Sequence, residues 1–441
     1  MEYKIYIKTF GCQMNVYDSK KILEILNIYF KIIKIKNKED ANIIILNTCS
    51  IREKAKEKFF SELGRISKLK KKKKFLICIG GCVAQEEKEK IFKRSPLVDI
   101  IFSPKTLHML PTMIKNHEKN KKQIKINSTI LKKFLIIKKK KKNNNPTAFL
   151  TIMEGCNKFC SYCIVPQTRG KEISRNIKNI LEEIKEFIKQ GKKEIILLGQ
   201  NVNAFKNFKN NKKKDFSDLI KYISKIPEIK RIKFITNHPK EFTEKLINSY
   251  INNSKLGNHI YLPVQHASNK ILKKMRRGYT IEEYKNIIYK IKKIKPNISI
   301  STDFIIGFPG ENDNDFKKLI NLINEIKFDT SYSFIYSPRL KTLAAKFINN
   351  IPEIIKKYRL QYIQTIIKKN IYKINKNMIG SKQYVLVENI SKKNPLKLTG
   401  KTENNKIVNF YIKKNKKKII GKIIPIKITK AFQFYLEGKI I

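Results

Sequence analysis

The sequence predicts an α/β protein in three parts: an N-terminal α/β domain on a parallel sheet, a central partial (βα)6 barrel, and a small C-terminal β-barrel. Three observations predict it. Strand-like and helix-like runs alternate up to residue 130, six further strand-like runs separated by helix-length segments fill the middle, and after Gly380 only short β-like runs remain. A chain of 441 residues exceeds one ordinary domain.

In the first part, strand Tyr3–Phe10 leads to Gly11-Cys12 and a helix-like stretch from Ser19. Strand Ala41–Asn47 leads to Thr48-Cys49 and a charged helix, Ile51–Leu69; strand Phe75–Ile79 leads to Gly80-Gly81-Cys82 and another helix. Each cysteine thus follows a strand's C-terminal end. In a parallel sheet those ends share one edge, where ligands bind, so three thiols far apart in sequence are expected to converge. Lys138–Lys142, Asn143–Asn145 and Pro146 form a polar low-complexity linker, whereas Lys70–Lys74 reads as a solvated turn. The domain boundaries expected are 1–130, a linker at 131–146, then 147–375 and 378–441.

The six barrel strands are read at Phe149–Met153, Glu194–Gly199, Arg231–Thr236, Ile260–Val264, Ile298–Ile306 and Ser331–Tyr336. Six units are too few for a complete eight-stranded barrel. Active-site residues are expected at their C-terminal ends, where Glu154-Gly155-Cys156, Gln200-Asn201, Asn237-His238, Gln265-His266 and Gly307-Phe308-Pro309-Gly310 fall. A helix from Pro352 to about Asn375 closes this part, and the tail strands are read at Gln383–Val387, Lys406–Phe410, Ile419–Ile428 and Ala431–Leu436, a set that suits an oligonucleotide-binding barrel.

Composition bounds the function. The formal net charge of +60 fits a polyanionic partner. Lysine nevertheless occurs almost everywhere beside abundant Ile and Asn, as codon bias alone would produce, so charge by itself identifies nothing. Met1–Lys8 alternates like a first strand and not like a signal peptide, and no apolar run is long enough to span a membrane. A soluble, cytoplasmic protein is expected. Seven cysteines in such a chain point to metal binding or catalysis before disulfides.

Cys156-x-x-x-Cys160-x-x-Cys163 is the sharpest signal. Thiolates at this spacing on one loop can wrap a cuboidal iron–sulfur cluster, which normally takes four Cys ligands. No fourth Cys is near, which leaves one iron open; a zinc site is the other reading, but zinc asks for a fourth His or Cys and none follows nearby. The loop resembles the radical S-adenosylmethionine superfamily, including the aromatic Tyr162 before the last Cys. The resemblance implies that the open iron chelates S-adenosylmethionine and that one electron releases a 5′-deoxyadenosyl radical.

Three further words, Gly11-Cys12-Gln13-Met14-Asn15, Asn47-Thr48-Cys49-Ser50-Ile51-Arg52-Glu53 and Gly80-Gly81-Cys82-Val83-Ala84-Gln85, resemble the N-terminal domain of the methylthiotransferase family of these enzymes. It implies an auxiliary cluster on Cys12, Cys49 and Cys82, hence two [4Fe-4S] clusters with S-adenosylmethionine as cofactors. Glycines beside two of these cysteines would let the backbone fold tightly. Cys78 falls inside a strand and reads as a buried structural thiol.

Among the family's branches, the blocks Gly11–Asn15, Cys49–Gly64, Leu198–Asn203 and Gly400–Phe410 resemble the one acting on isopentenylated adenosine beside the tRNA anticodon. It implies methylthiolation at adenine C2: one S-adenosylmethionine donates a methyl group to sulfur, and another gives the radical that abstracts hydrogen. The partners implied are prenylated tRNA and an electron donor such as a flavodoxin-type protein, with a monomeric chain and no membrane. The alternatives are branches acting on threonylcarbamoyladenosine or a ribosomal-protein aspartate, and, in another class, a non-catalytic iron–sulfur RNA-binding protein.

Contacts to S-adenosylmethionine are expected from Tyr162, from Gln200 in Leu198-Gly199-Gln200, from Gly307 in the Asp303–Glu311 segment, and from Arg277 of the Arg276-Arg277 pair. The alternatives are a turn-shaping role for Gly307 and Gly310 and an ordinary exposed basic pair for Arg276-Arg277. His238 and His266 sit at the active end, and neither is assigned a catalytic role. The tail resembles a TRAM domain, in which Lys392, Lys393, Lys397, Lys401 and Lys406 would offer phosphate contacts. Where relatives have Ser-Pro-Arg-Pro-Gly-Thr, this chain has Ser337-Pro338-Arg339-Leu340-Lys341-Thr342, and the loss of Pro and Gly is expected to alter that loop's geometry and with it substrate fit or rate.

Overall fold

The computed structural model describes residues 2–50, 53–117, 122–128, 134, 145–209, 212–412 and 416–441. The linker read at 131–146 lies outside them except for residues 134, 145 and 146, and the Ile51-Arg52 pair also lies outside. The chain forms two compact units. The first comprises the N-terminal segment with Glu154–Asn157 and Ile164–Arg175; the second holds the rest.

The first unit is a six-stranded parallel sheet: β1 (Glu2–Thr9), β2 (Lys31–Lys34), β3 (Ile43–Thr48), β4 (Leu76–Gly81), β5 (Ile100–Phe102) and β6 (Gln123–Lys125), in the order β2-β1-β3-β4-β5-β6. Central β3 is buried throughout, and its near-continuous run of Ile serves both faces. Ile44 and Leu46 join one core with Phe59 and Ile77, while Ile43 and Ile45 join the opposite core with Ile5, Ile22 and Cys78. Cys78 is the buried thiol expected, and burial pushes it far above the ordinary thiol range. Three units were legible because their central strands are apolar; β2, β5 and β6 are three or four residues long and were missed.

This strand order places a topological switch point between β1 and β3, where chain connections diverge and leave a crevice at the strands' C-terminal ends. Helix α1 (Gln13–Tyr29) starts directly after Cys12, six residues before the expected Ser19. The early polar residues Asn15 and Asp18 look like loop, yet both are buried. Helix α2 (Glu53–Lys70) follows β3, and α3 (Cys82–Glu87) starts on its own cysteine. Lys71–Lys74 form the exposed turn anticipated.

In the second unit all six barrel strands occur: β7 (Thr147–Thr151), β8 (Glu194–Leu198), an unforeseen antiparallel hairpin β9 (Lys206–Lys209) and β10 (Lys212–Asp215), then β11 (Arg231–Phe234), β12 (His259–Tyr261), β13 (Ser299–Ile306) and β14 (Thr330–Ile335). They form two three-stranded parallel sheets, β11-β8-β7 and β12-β13-β14. The two are joined at Ile232, whose N–H donates to Lys255 O (2.7 Å) and whose O accepts from Gly257 N–H (3.1 Å). One core spans both sheets, so they behave as one partial barrel. Helix Glu353–Lys376 buries Ile363, Ile367 and Ile371 against it, at the spacing of one helical face.

The tail is a closed five-stranded barrel: β15 (Lys382–Ile390), β16 (Lys397–Lys401), β17 (Ile407–Tyr411), β18 (Ile423–Ala431) and β19 (Leu436–Ile440), in the order β15-β16-β17-β19-β18. Strand β16 was missed, and Ala431–Leu436 is corrected: it is mostly a turn, with Phe432 stacked on Tyr435 at 4.4 Å and its N–H donating to Tyr435 O. The strand expected from Ile419 starts at Ile423, because Gly421 turns the chain at φ 91°. Among the described residues no helix is long and apolar enough to cross a membrane.

Candidate active site at two cysteine clusters

Cys12, Cys49 and Cys82 follow β1, β3 and β4, and the first two flank the switch point. Their loops are packed as tightly as backbone allows. A Cβ on Gly11 (φ 97°) would fall 2.2 Å from Cys49 Cβ, and one on Gly81 (φ 94°) would fall 2.3 Å from Thr48 O. These glycines admit the neighbouring loop, which is how the thiols come together. A hydrogen bond with Cys49 is the main reason the Cys12 thiol falls to about 6; burial opposes it, while backbone N–H groups and Arg169 assist. Burial raises Cys82, against the pull of Arg169.

A buried polar network fixes these loops. Asn15 Nδ2 donates to Phe10 O and to Thr48 O, both at 2.8 Å, joining the approaches to Cys12 and Cys49. Asn47 Nδ2 donates to Asn15 O at 2.9 Å. Thr48 Oγ1 donates to Gly80 O (2.6 Å) and accepts from Val83 N–H (3.2 Å), tying in the Cys82 loop. Arg169 donates to Asn15 Oδ1 (2.9 Å) and pairs with Asp18 (2.8 Å) and Glu154 (3.1 Å). Burial alone would lower its pKa, but Asp18, Cys82, Glu154 and Cys12 hold the guanidinium charged. Asn15, Thr48 and Glu154 stand inside motifs read from the sequence without being given work there, and Asp18 and Arg169 stand in none. Polar residues inside otherwise apolar strand-end words were the available signal.

Three converging thiols with a cation beside them form a donor set suited to a thiolate-ligated cluster. Among the described residues no three His, Cys, Asp or Glu side chains are grouped to hold a single metal ion. A cuboidal cluster spreads its thiolates around a larger body than one ion does.

Of the second cysteine set, Cys156 belongs to the first unit and Cys160 and Cys163 to the second. In the first, Cys156 N–H donates to Gly170 O (3.1 Å), and Asn157 and Glu172 exchange side-chain-to-backbone bonds. In the second, Cys163 N–H donates to Cys160 O (3.0 Å), and Ser161 is clamped three ways. Its N–H donates to Met275 O (3.0 Å), its Oγ to Lys274 O (2.8 Å), and its O accepts from Ala344 N–H (2.7 Å). Phe159, between the first two cysteines, takes φ 47°, a conformation costly for an aromatic residue and held by the loop around it.

Arg277 is buried, which corrects the reading of an exposed basic pair; Arg276 alone is exposed. The Arg277 guanidinium donates to Pro263 O (3.0 Å) and Tyr279 Oη (3.0 Å) and reaches Cys160 Sγ (3.4 Å) and Tyr162 Oη (3.5 Å). Tyr162 meets Phe308 edge-on at 6.5 Å. Cys160, Tyr162, Arg277 and the Gly307-Phe308 turn are therefore one constellation. Gln200 is placed by its strand, two residues past the end of β8, and Gly199 is required there because a Cβ would fall 2.6 Å from Met153 Cγ.

Gly307 (φ 69°) and Gly310 (φ 85°) both shape a turn. Gly307 N–H donates to Glu311 Oε2 (2.8 Å), and the same oxygen lies 3.3 Å from His266 Nε2. Glu311 Oε1 accepts from Arg359 (2.7 Å), which also reaches Asp313 (2.7 Å). His266 is thus part of the turn's support. Glu311→Ala, by leaving these partners buried around a void, is expected to cost about 3 kcal/mol, read from the urea midpoint. His238 Nδ1 accepts from Lys240 N–H, and burial together with Arg277, Lys158 and Lys240 pushes its pKa down to about 2. Below about pH 6.5 the unfolded chain gains a proton there that the folded chain refuses, so stability falls as pH drops, by up to about 1.4 kcal/mol per pH unit. His238→Asn is expected to flatten that slope between pH 7 and 5 in urea titrations.

The Ser337–Thr342 loop forms a defined turn. Thr342 N–H and Oγ1 both donate to Arg339 O at 2.8 Å, no residue of it takes positive φ, and Leu340 is almost fully exposed. Neither glycine nor a second proline is needed for this geometry, and two residues on Ala344 still holds Ser161.

The Radical SAM superfamily model matches residues 150–323, the TRAM domain model 376–441, and the model of an uncharacterized protein family, UPF0004, residues 4–103. A radical S-adenosylmethionine methyltransferase, TsrM, from Kitasatospora setae shares the fold, with TM-score 0.58 at 10% identity over 78% of this chain and 75% of that one. The cobalamin-dependent S-adenosylmethionine radical enzyme OxsB gives 0.52 at 13% identity over 84% and 57%. Fold and site together define a protein of the radical S-adenosylmethionine superfamily carrying an N-terminal sheet domain and a C-terminal TRAM barrel. The tRNA-2-methylthio-N(6)-dimethylallyladenosine synthases of Janthinobacterium sp. (strain Marseille) and Paraburkholderia xenovorans (strain LB400) are 48% and 46% identical to it, over 100% of this chain and 99% and 98% of theirs. The chain belongs to that family.

Proposed function

We propose that this chain is a tRNA methylthiotransferase that converts N6-isopentenyladenosine beside the anticodon to its 2-methylthio derivative in the cytoplasm. The observation that carries the reading is the gathering of Cys12, Cys49 and Cys82 at one sheet edge, beside the separate Cys156-x-x-x-Cys160-x-x-Cys163 word, in a chain that matches synthases of this name over its full length. Cys156, Cys160 and Cys163 hold the radical [4Fe-4S] cluster, and Cys12, Cys49 and Cys82 the auxiliary one. When bound, these clusters and S-adenosylmethionine supply one-electron C–S cleavage and the sulfur and methyl groups.

The protein's own residues bind, orient and shield. Arg277, buried against Cys160 and Tyr162, places a fixed cation beside the cofactor's carboxylate, where a low-dielectric setting strengthens it. Tyr162 and Phe308 wall that site, Gly307 admits close approach, and Gln200 lines it from β8. The clamp on Ser161 sets the angle of the cysteine loop. Residues 1–130 carry the auxiliary site, 147–375 the radical site, and 378–441 grip tRNA through the TRAM barrel. Lys392, Lys393 and Lys397 lie on or beside its β15–β16 connection. A flavodoxin-type donor and a monomeric chain complete the reading.

The test is substrate choice. Anaerobically reconstituted enzyme is given prenylated tRNA, the same tRNA unprenylated, threonylcarbamoylated tRNA, and the ribosomal protein. Methylthiolation of prenylated tRNA alone is expected; preference for another substrate would transfer the chain to another branch, and RNA binding without S-adenosylmethionine cleavage would indicate a non-catalytic protein.

A further inference from the structure

The Cys12–Cys49–Cys82 site has a built-in cation. Arg169 stands six residues past Cys163, yet its guanidinium reaches back into the first sheet's cysteine edge. It donates to Asn15 Oδ1, the residue that joins the Cys12 and Cys49 loops, and pairs with Asp18 and Glu154. Its charge also acts on the thiols of Cys82 and Cys12, favouring the thiolate of each. Asn15, Asp18, Glu154 and Cys82 around it are all buried. A buried charge in such a setting is costly unless it answers other charges. Thiolates at Cys12 and Cys82 would add to the negative charge of Asp18 and Glu154 that the guanidinium answers. The next residue, Gly170, accepts the Cys156 N–H, so the same short segment touches the radical motif's first cysteine as well.

We propose that Arg169 is a positioning residue for the auxiliary cluster, setting its reduction potential through the buried charge it holds beside the Asn15 junction of the cysteine loops while Asp18 acts in the opposite sense. The proposal rests on the auxiliary-cluster reading above. Hydrogen bonds to the ligating sulfurs and local net charge are the protein's means of setting such potentials. Adding one electron to the cluster makes it more negative. A nearby cation favours the reduced form, and a nearby carboxylate disfavours it.

The experiment uses the full chain with Cys156, Cys160 and Cys163 all replaced by Ala, so that only the auxiliary site can be loaded. Iron and sulfide are reconstituted anaerobically, and the cluster is titrated with dithionite and mediators under electron paramagnetic resonance. At the parent's midpoint, Arg169→Met is expected to lower the reduced-to-oxidised ratio about tenfold, a shift of about 59 mV for one electron. Arg169→Lys should fall between, and Asp18→Asn should move the ratio upward. Opposite shifts from two residues in ion-pair contact are not a signature of general damage. Unchanged potentials with full cluster loading would overturn the proposal. If both Arg169 variants lose iron, Asp18→Asn decides: an upward shift supports it, and no shift overturns it. A parent that takes up no cluster would remove this inference together with the auxiliary-site reading, which sets that failure apart from the others.

Discussion

Replacing Cys156, Cys160 or Cys163 by Ala is expected to abolish both 5′-deoxyadenosine formation and methylthiolation, a loss of at least about a thousandfold in each. The three thiols lie within eight residues on one loop, and no other cysteine of the sequence is near them in the chain. A cluster already short of its fourth protein ligand has no spare one. Cys160 is additionally held by Arg277 at 3.4 Å, so its loss also leaves a buried guanidinium without one of its partners. Iron content and 5′-deoxyadenosine, quantified on the same preparations, check the expectation. Continued cleavage of S-adenosylmethionine by any of the three variants would sink the assignment of the radical site.

Replacing Cys12, Cys49 or Cys82 by Ala is expected to separate the two activities: 5′-deoxyadenosine still forms, and no methylthio product accumulates. These thiols sit on the sheet's crevice edge in the first unit, and their loops are tied to one another by Asn15, Asn47 and Thr48. Because that network uses side-chain amides, a hydroxyl and backbone carbonyls and no thiol, a Cys-to-Ala change leaves it whole. The expected defect is therefore chemical and not a collapse of the domain. Cys78→Ala is the internal control, since this thiol is enclosed in the opposite face of the sheet with Ile5 and Ile100. Full methylthiolation by a Cys12, Cys49 or Cys82 variant would defeat the auxiliary-site reading.

Cys12, Cys49 and Cys82 could be placed at strand ends from the sequence because apolar strands are the easiest elements to read from periodicity. The barrel's six strands were found for the same reason. Sequence could not show what lies across space. Arg277 reads either as a cofactor contact or as half of an exposed Arg-Arg pair until Cys160, Tyr162 and Pro263 are seen around it. Asn15 and Asp18 delayed the predicted start of α1 because polar residues in a first turn look like loop when their buried partners are unknown. Arg169 is more than 150 residues from the Asn15 it contacts. The short strands β2, β5, β6 and β16 escaped because three to five residues carry too little pattern. In the Ser337–Thr342 loop, the turn closed by Thr342 on Arg339 O is a contact that the residue pattern alone did not suggest.

The central claim is methylthiolation of a prenylated tRNA adenine by this chain. The measurement that tests it most directly is mass spectrometry of nucleosides from prenylated tRNA after anaerobic incubation with loaded enzyme, reductant and S-adenosylmethionine deuterated in its methyl group. The account predicts a 2-methylthio-N6-isopentenyladenosine that carries the deuterated methyl, together with 5′-deoxyadenosine. Formation of 5′-deoxyadenosine with the adenine unaltered, on enzyme holding both clusters, would contradict it.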